Sequence, residues 1–209
     1  RPDHPRVSEL MRRDPGTRLP RTGALLDALV PTILGQKVVG KEAKRSYRRL
    51  VRRHGEPAPG PVDLHLPPPA RALARVPLHD WHTFGVERRR AEVVRRVARD
   101  ADRLAARLVD PPALRRRLLA TPGIGPWTTA NVETIVLGAA DAVVVGDFNL
   151  PDLVAWNLAG ERKADDRRML ELLAPFEGSR GRVQRLLKGF GARPPRRGPK
   201  LPFREIERA

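Results

Sequence analysis

Leu118-Leu119-Ala120-Thr121-Pro122-Gly123-Ile124-Gly125-Pro126-Trp127-Thr128-Thr129-Ala130 is the stretch on which the fold turns. An apolar helix end runs into a Gly-x-Gly turn. Pro126 then opens a new helix, because a proline needs no amide partner in the first turn. The segment therefore reads as a tight hairpin between two helices. Its two glycines permit positive φ and the close approach of another backbone. Ile124 between them is placed to anchor the turn in a core. The N–H groups at the start of the second helix favour an anion. A plain turn between antiparallel helices has the same outline, so shape alone leaves both readings open.

Working outward, the flanking pattern is helical throughout. Asp110-Pro111 supplies a cap and a first-turn proline for a helix to about Ala120. Val93, Val97, Ala101, Leu104 and Leu108 form one stripe of a long amphipathic helix over Val86–Leu108. Leu25, Leu26, Leu29, Val30 and Ile33 recur at spacings of three and four, with Thr22 as the expected N-cap. A second early helix spans about Val38–Arg53, and residues 56–69 hold six prolines and form a loop. Beyond the hairpin, a helix runs from Pro126 to about Leu137, and others lie near Pro151–Ala159, Asp165–Ala174 and Ser179–Lys188. Ala142–Val145 is apolar and β-branched but has no partner strand, so an extended loop is expected. The class is all-α. Residues 1–21 read as an irregular lead-in, 22–190 as one helical domain with its hairpin at 110–137, and 191–209 as a basic Pro/Arg-rich tail.

Charge is the strongest compositional signal. Lys plus Arg number 41 against 24 acidic residues, a net +17, and only six of the 41 are Lys. Such a surface attracts polyanions, and a guanidinium fork suits phosphate. An arginine-rich genome would raise the same count without any partner. No run of 18 apolar residues is present, so a membrane span is not expected. No secretory segment is visible, so a cytoplasmic protein is expected, nucleoid-associated if bacterial. The absence of cysteine excludes disulfides, thiolate zinc sites and iron–sulfur clusters. The five histidines show no ligand spacing, so no catalytic metal and no organic cofactor are expected.

A second motif, Val143-Val144-Val145-Gly146-Asp147-Phe148-Asn149-Leu150-Pro151, follows the hairpin. An acid stands directly after an apolar run and before a helix. By position alone Asp147 or Asn149 is an N-cap. Glu133, further along the hairpin's second helix, is a competing acid for which an exposed or ion-paired position is expected.

Taken together, Pro122-Gly123-Ile124-Gly125 and Asp147 at this distance resemble the helix-hairpin-helix superfamily of DNA glycosylases. Two weaker matches support it. Ile33–Lys41 resembles the early helix that carries a glutamine, here Gln36, at the active-site face. His82–Ala91 resembles the segment that supplies the wedge into the DNA gap. The likeness spans about residues 22–190 and is strongest to the 3-methyladenine branch that acts on alkylated bases.

The resemblance implies two helical subdomains with the active-site cleft between them. It makes Asp147 the catalytic carboxylate, and it puts Trp127, Gln36 and Phe148 at the base pocket. Thr121, Gly123, Ile124, Gly125, Thr128, Arg88 and Arg89 would grip the strand, with Phe84 or Val86 as the wedge. The main-chain carbonyls of Leu119, Thr121 and Ile124 would hold a structural Na+ or K+. Members that also cut the backbone carry a lysine two residues after the second hairpin glycine. Trp127 stands there, so no AP-lyase activity is implied. The expectation is thus a monomeric, monofunctional enzyme of base excision repair, with double-stranded DNA containing damaged bases as partner. It would rotate out a base, and Asp147 would stabilise the charge that develops on the sugar. The alternative is a non-catalytic protein that uses the same hairpin only to bind DNA. An RNA-binding module is disfavoured, since only 4% of the chain is aromatic and single-strand readers depend on aromatic platforms.

Overall fold

The computed structural model describes residues 4–16 and 18–195. In chain order its α-helices are α1 (Pro5–Arg13), α2 (Leu25–Leu34), α3 (Gly40–His54), α4 (Ala70–Arg75), α5 (Leu78–Thr83) and α6 (Arg88–Arg99). Then come α7 (Ala101–Ala105), α8 (Pro111–Leu119), α9 (Pro126–Val132), α10 (Leu150–Ala159), α11 (Asp166–Leu173) and α12 (Arg180–Phe190). A single β-bridge, Pro57 to His65, is the only extended pairing among the described residues. The all-α reading holds. The chain divides into two compact units, one spanning Gly23–Thr128 and the other joining the described residues up to Thr22 with those from Thr129 onward.

In the Gly23–Thr128 unit, α6 is the central element and packs on α2, α4, α5 and α7. Ala91, Val93, Val94, Val97 and Ala98 are buried along it, while Arg88, Arg89 and Arg99 stay exposed, as a period of 3.6 requires. The long helix expected over Val86–Leu108 breaks at Asp100 into α6 and α7. At the break the Asp100 carboxylate takes both Nε and Nη2 of Arg117 on α8, at 2.9 and 2.6 Å. Thr22 is not the cap of α2. Ala24 occupies that position, and the Thr22 N–H and hydroxyl both donate to the Ile135 carbonyl at 3.2 Å.

In the other unit, α1 and α10 pack on α12, and α10 packs on α11. The irregular lead-in expected for residues 1–21 instead contains α1. His4 caps it through Nδ1, Pro5 starts it, and Val7 and Leu10 bury the only apolar face. Two apolar residues three apart among prolines and arginines give too little periodicity to reveal a helix. Ala142–Val145 is extended, as expected, and α12 supplies the partner it lacks. The Gln184 side chain accepts the Val144 N–H at 2.8 Å and donates to the Val144 carbonyl at 3.2 Å. Close approach is possible because Gly181 faces Ala142: a Cβ there would stand 2.2 Å from the Ala142 carbonyl oxygen. Arg180 ties the same loop through the Asp141 carboxylate, whose pKa this pairing lowers against the raising effect of burial. Of the expected basic tail, residues 191–195 are described and carry no helix, and 196–209 lie outside the described residues.

Candidate nucleic-acid interface and carboxylate loop

The hairpin forms as its sequence demands. Asp110 Oδ1 accepts the Ala113 N–H at 3.0 Å to start α8, and the Ile124 N–H closes on the Thr121 carbonyl at 2.9 Å. Ile124 is 5% exposed, the anchor its position suggested. The two glycines differ in kind. Gly123 has φ +92, and a Cβ there would lie 2.2 Å from Cγ2 of Val93 on α6. Gly125 has no positive φ, and nothing would lie within 4 Å of a Cβ. The protein's own packing needs the first glycine and does not need the second.

Side chains from two other elements brace this turn by its carbonyls. Gln36 Nε2 donates to the Gly123 carbonyl and to the Thr128 hydroxyl, both at 2.9 Å. Arg96 Nη1 donates to the Pro122 carbonyl at 2.6 Å. Gln36 is itself positioned from behind. Arg90, buried on α6, donates to the Leu34 carbonyl at 2.7 Å and so closes the end of α2. Burial lowers the Arg90 pKa, against the pull of Glu87 and Glu42. The next residue, Lys37, has φ +57, a left-handed conformation uncommon for a side chain of this kind. Trp127 is half-buried, and its ring edge lies 3.7 Å from where a Gly35 Cβ would stand.

Several expected side-chain roles change. Thr121 and Thr128 are buried, and their hydroxyls are engaged within the protein: Thr121 donates to the Arg117 carbonyl at 2.9 Å, and Thr128 accepts from Gln36. Any contact they make with a strand must come from the backbone. Gln36 directs its amide nitrogen to the hairpin rather than to a pocket. Phe84 and Val86 do not stand out as a wedge; they are 5% and 1% exposed. The Phe84 ring meets His54 and Trp81 edge-on, with centroids 5.6 and 6.2 Å away. Burial and the charge of Arg53 lower the His54 pKa there. The exposed residues around that turn are His82, Thr83, Glu87, Arg88 and Arg89, with Arg88 Nε 2.9 Å from Glu92.

Asp147 lies in the unit that resumes at Thr129. Its Oδ1 accepts the N–H of Asn149 at 2.9 Å and of Leu150 at 3.1 Å, so it holds the start of α10. The residue before it, Gly146, has φ +77. The residue after it, Phe148, is 84% exposed, a large apolar surface with no core to fill. For Glu133, expected to be exposed or ion-paired, exposure is ruled out: it is 6% exposed and begins a π-helical turn, Glu133–Leu137, that continues α9. Sequence reasoning missed the roles of Arg96 and Arg90, whose only signal was their place on a basic amphipathic helix. No group of three or more His, Asp or Glu that could hold a metal occurs among the described residues.

These features are those of a helix-hairpin-helix DNA glycosylase fold. A 3-methyladenine DNA glycosylase from Archaeoglobus fulgidus superposes with a TM-score of 0.73 at 18% identity, covering 87% of this chain and 64% of that one. An 8-oxoguanine glycosylase/lyase from Clostridium acetobutylicum, in complex with double-stranded DNA, gives 0.73 at 14%, covering 88% and 64%. A DNA-3-methyladenine glycosidase from Bacillus halodurans gives 0.58 at 22%, covering 90% and 89%. In sequence, the chain is 30% identical over 150 residues to a probable bifunctional transcriptional activator/DNA repair enzyme AlkA of Mycobacterium tuberculosis, found in two strains. The match covers 70% of this chain, and the chain spans about 30% of the length of those curated relatives. No family model matches. The resemblance to helix-hairpin-helix glycosylases, and to their alkylation-repair branch, thus holds in fold and in sequence.

Proposed function

We propose that this chain is a monofunctional DNA glycosylase that flips out and excises alkylated, cationic purines from double-stranded DNA in base excision repair. The observation that carries the reading is the Asp147 carboxylate, fixed in orientation by two main-chain N–H groups at the head of a ten-residue helix. The likeness to AlkA and to a 3-methyladenine glycosylase supports the choice of substrate class. The neighbours also include a glycosylase/lyase, and Trp127 speaks against that second activity here. With no ammonium at this position, no Schiff base forms.

The chemistry needs little from the protein beyond placement and charge. An alkylated purine is already cationic, so the C1′–N bond breaks with its electron pair leaving on the base. Asp147 stabilises the cationic sugar, water adds to C1′, and one proton is released. Trp127, and the exposed ring of Phe148, offer apolar faces on which a cationic base gains about 0.5–2 kcal/mol. The hairpin approaches the strand through its backbone, and Arg88 and Arg89 at the start of α6 add phosphate contacts. The carbonyls of Leu119, Thr121 and Ile124 are neutral, hard oxygen donors of the kind that suits a monovalent cation. Such an ion would be held by them and would offset phosphate charge. The protein acts as a monomer, and its catalytic part runs from α1 to α12, because α1 packs on α12 in the unit that carries Asp147. No helix among the described residues is long and apolar enough to cross a membrane.

The test is release of free 3-methyladenine or 7-methylguanine from methylated DNA by wild type and by Asp147→Asn. Asparagine keeps an oxygen acceptor for the two N–H groups but removes the charge. We expect the rate to fall by about 10²–10⁴ with the fold intact. Equal release by both proteins would overturn the reading. Absence of release by wild type, with tight DNA binding retained, would leave the non-catalytic binder in its place.

A further inference from the structure

Asp166 opens α11, yet its side chain does not serve that helix. Asp165 is the N-cap and accepts the Arg168 N–H at 2.8 Å. Asp166 Oδ2 instead accepts the N–H of Gly146, 2.8 Å away and twenty residues earlier in the chain. Its other oxygen, Oδ1, is buried without a hydrogen-bond partner. A buried carboxylate oxygen with no donor destabilises a fold, so its retention calls for an explanation.

The bond falls at a telling place. Gly146 directly precedes Asp147 and adopts a left-handed conformation. Asp166 thus pins the backbone on one side of Asp147, while the Asn149 and Leu150 N–H groups pin its carboxylate on the other. A second carboxylate runs the opposite way: Asp152 Oδ1 on α10 accepts the Ala164 N–H at 2.9 Å, just before α11. Each helix therefore holds the segment that leads into the other. The packing of α10 on α11 becomes the reference frame for the Asp147 oxygen atoms.

We propose that Asp166 is a positioning residue for Asp147, acting through the Gly146 N–H. The inference rests on the reading of Asp147 as the acting carboxylate. Asp166→Ala should lower kcat for release of 3-methyladenine by about 10- to 100-fold, the scale on which small misplacements of a reacting group operate. KM, affinity for undamaged duplex and melting temperature should stay at wild-type values. Asp166→Asn keeps the acceptor and loses the charge, so it should restore most of kcat; a role at the helix dipole would be lost in both variants. Hydrogen exchange at the Gly146 amide should be fast in the alanine variant and slow in the asparagine variant. If the alanine variant does not fold, Asp166→Ser, whose hydroxyl is too short to span the gap, takes its place.

A wild-type kcat in Asp166→Ala or Asp166→Ser would overturn the proposal, as would an asparagine variant as slow as alanine. Asp147→Asn is measured in parallel. If it retains full activity, the reading of Asp147 fails. If it is inactive while Asp166→Ala is fully active, only the positioning role fails.

Discussion

The hairpin and the Asp147 loop are held by opposite means. At the hairpin the side chains turn in: Thr121, Ile124 and Thr128 are buried, and Gln36 and Arg96 grip the carbonyls of the exposed Gly123 and Pro122. At the loop the side chains do the holding, as Asp147, Asp152 and Asp166 each accept main-chain N–H groups. One region is built from shape, with Gly123 set against Val93; the other is built from acceptors. They should therefore fail in different ways, the first by steric conflict and the second by loss of an oxygen atom or its charge.

The largest expected effect separates charge from acceptor at the loop. Asp147→Ala and Asp147→Asn should both cut single-turnover base release by about 10²–10⁴. Only the alanine variant should also lose stability, by about 1 kcal/mol for the two hydrogen bonds lost at the entry to α10. Denaturant titration of both variants checks this, and equal losses would mean that the two hydrogen bonds add no stability. At the hairpin, Gly123→Ala should cost about 1–3 kcal/mol, since its Cβ meets Val93 in a left-handed backbone. Adding Val93→Ala should recover part of that loss in a double-mutant cycle.

The neighbouring glycine gives the sharpest contrast. Gly125→Ala should leave the melting temperature unchanged yet weaken binding to undamaged duplex by roughly tenfold, about 1.4 kcal/mol. Fluorescence anisotropy at fixed salt measures it. Unchanged affinity would mean that nothing approaches Gly125 closely.

The smallest effect concerns Asp141, whose pKa lies below the ordinary carboxylate value because of Arg180. A depressed folded pKa adds stability above the unfolded value, near 4, and that stability is lost as pH falls through the folded value. Asp141→Asn should thus destabilise at pH 7 by less than about 1 kcal/mol, because the pair is a third exposed. The difference between the two proteins should vanish in strong acid.

Local signals were legible in the sequence, and long-range ones were not. Gly-x-Gly with Pro126, the Asp110 cap and the position of Asp147 before a helix are decided by residues within a few places of each other. The break at Asp100 coincides with a bond to Arg117, seventeen residues on, and the stripe through Leu104 continues across it. Phe84 looked like a wedge because it sits at a turn, but Trp81 and His54 enclose it, and that enclosure belongs to the tertiary fold. The likeness drew Gln36 to the active site, while its partners are in the hairpin. The brace through Asp166 left no trace, because acidic residues at a helix start are common for unrelated reasons.

An isolated β-branched segment with open amide groups invites pairing by any chain that drifts past. Val144 is spared that fate because a single glutamine amide offers one acceptor and one donor in the spacing of a neighbouring strand. Gln184 is thereby a tie within the fold, and it and Val144 are both buried. Its replacement by leucine would leave those two groups unsatisfied inside the fold, at a cost of about 1–3 kcal/mol each.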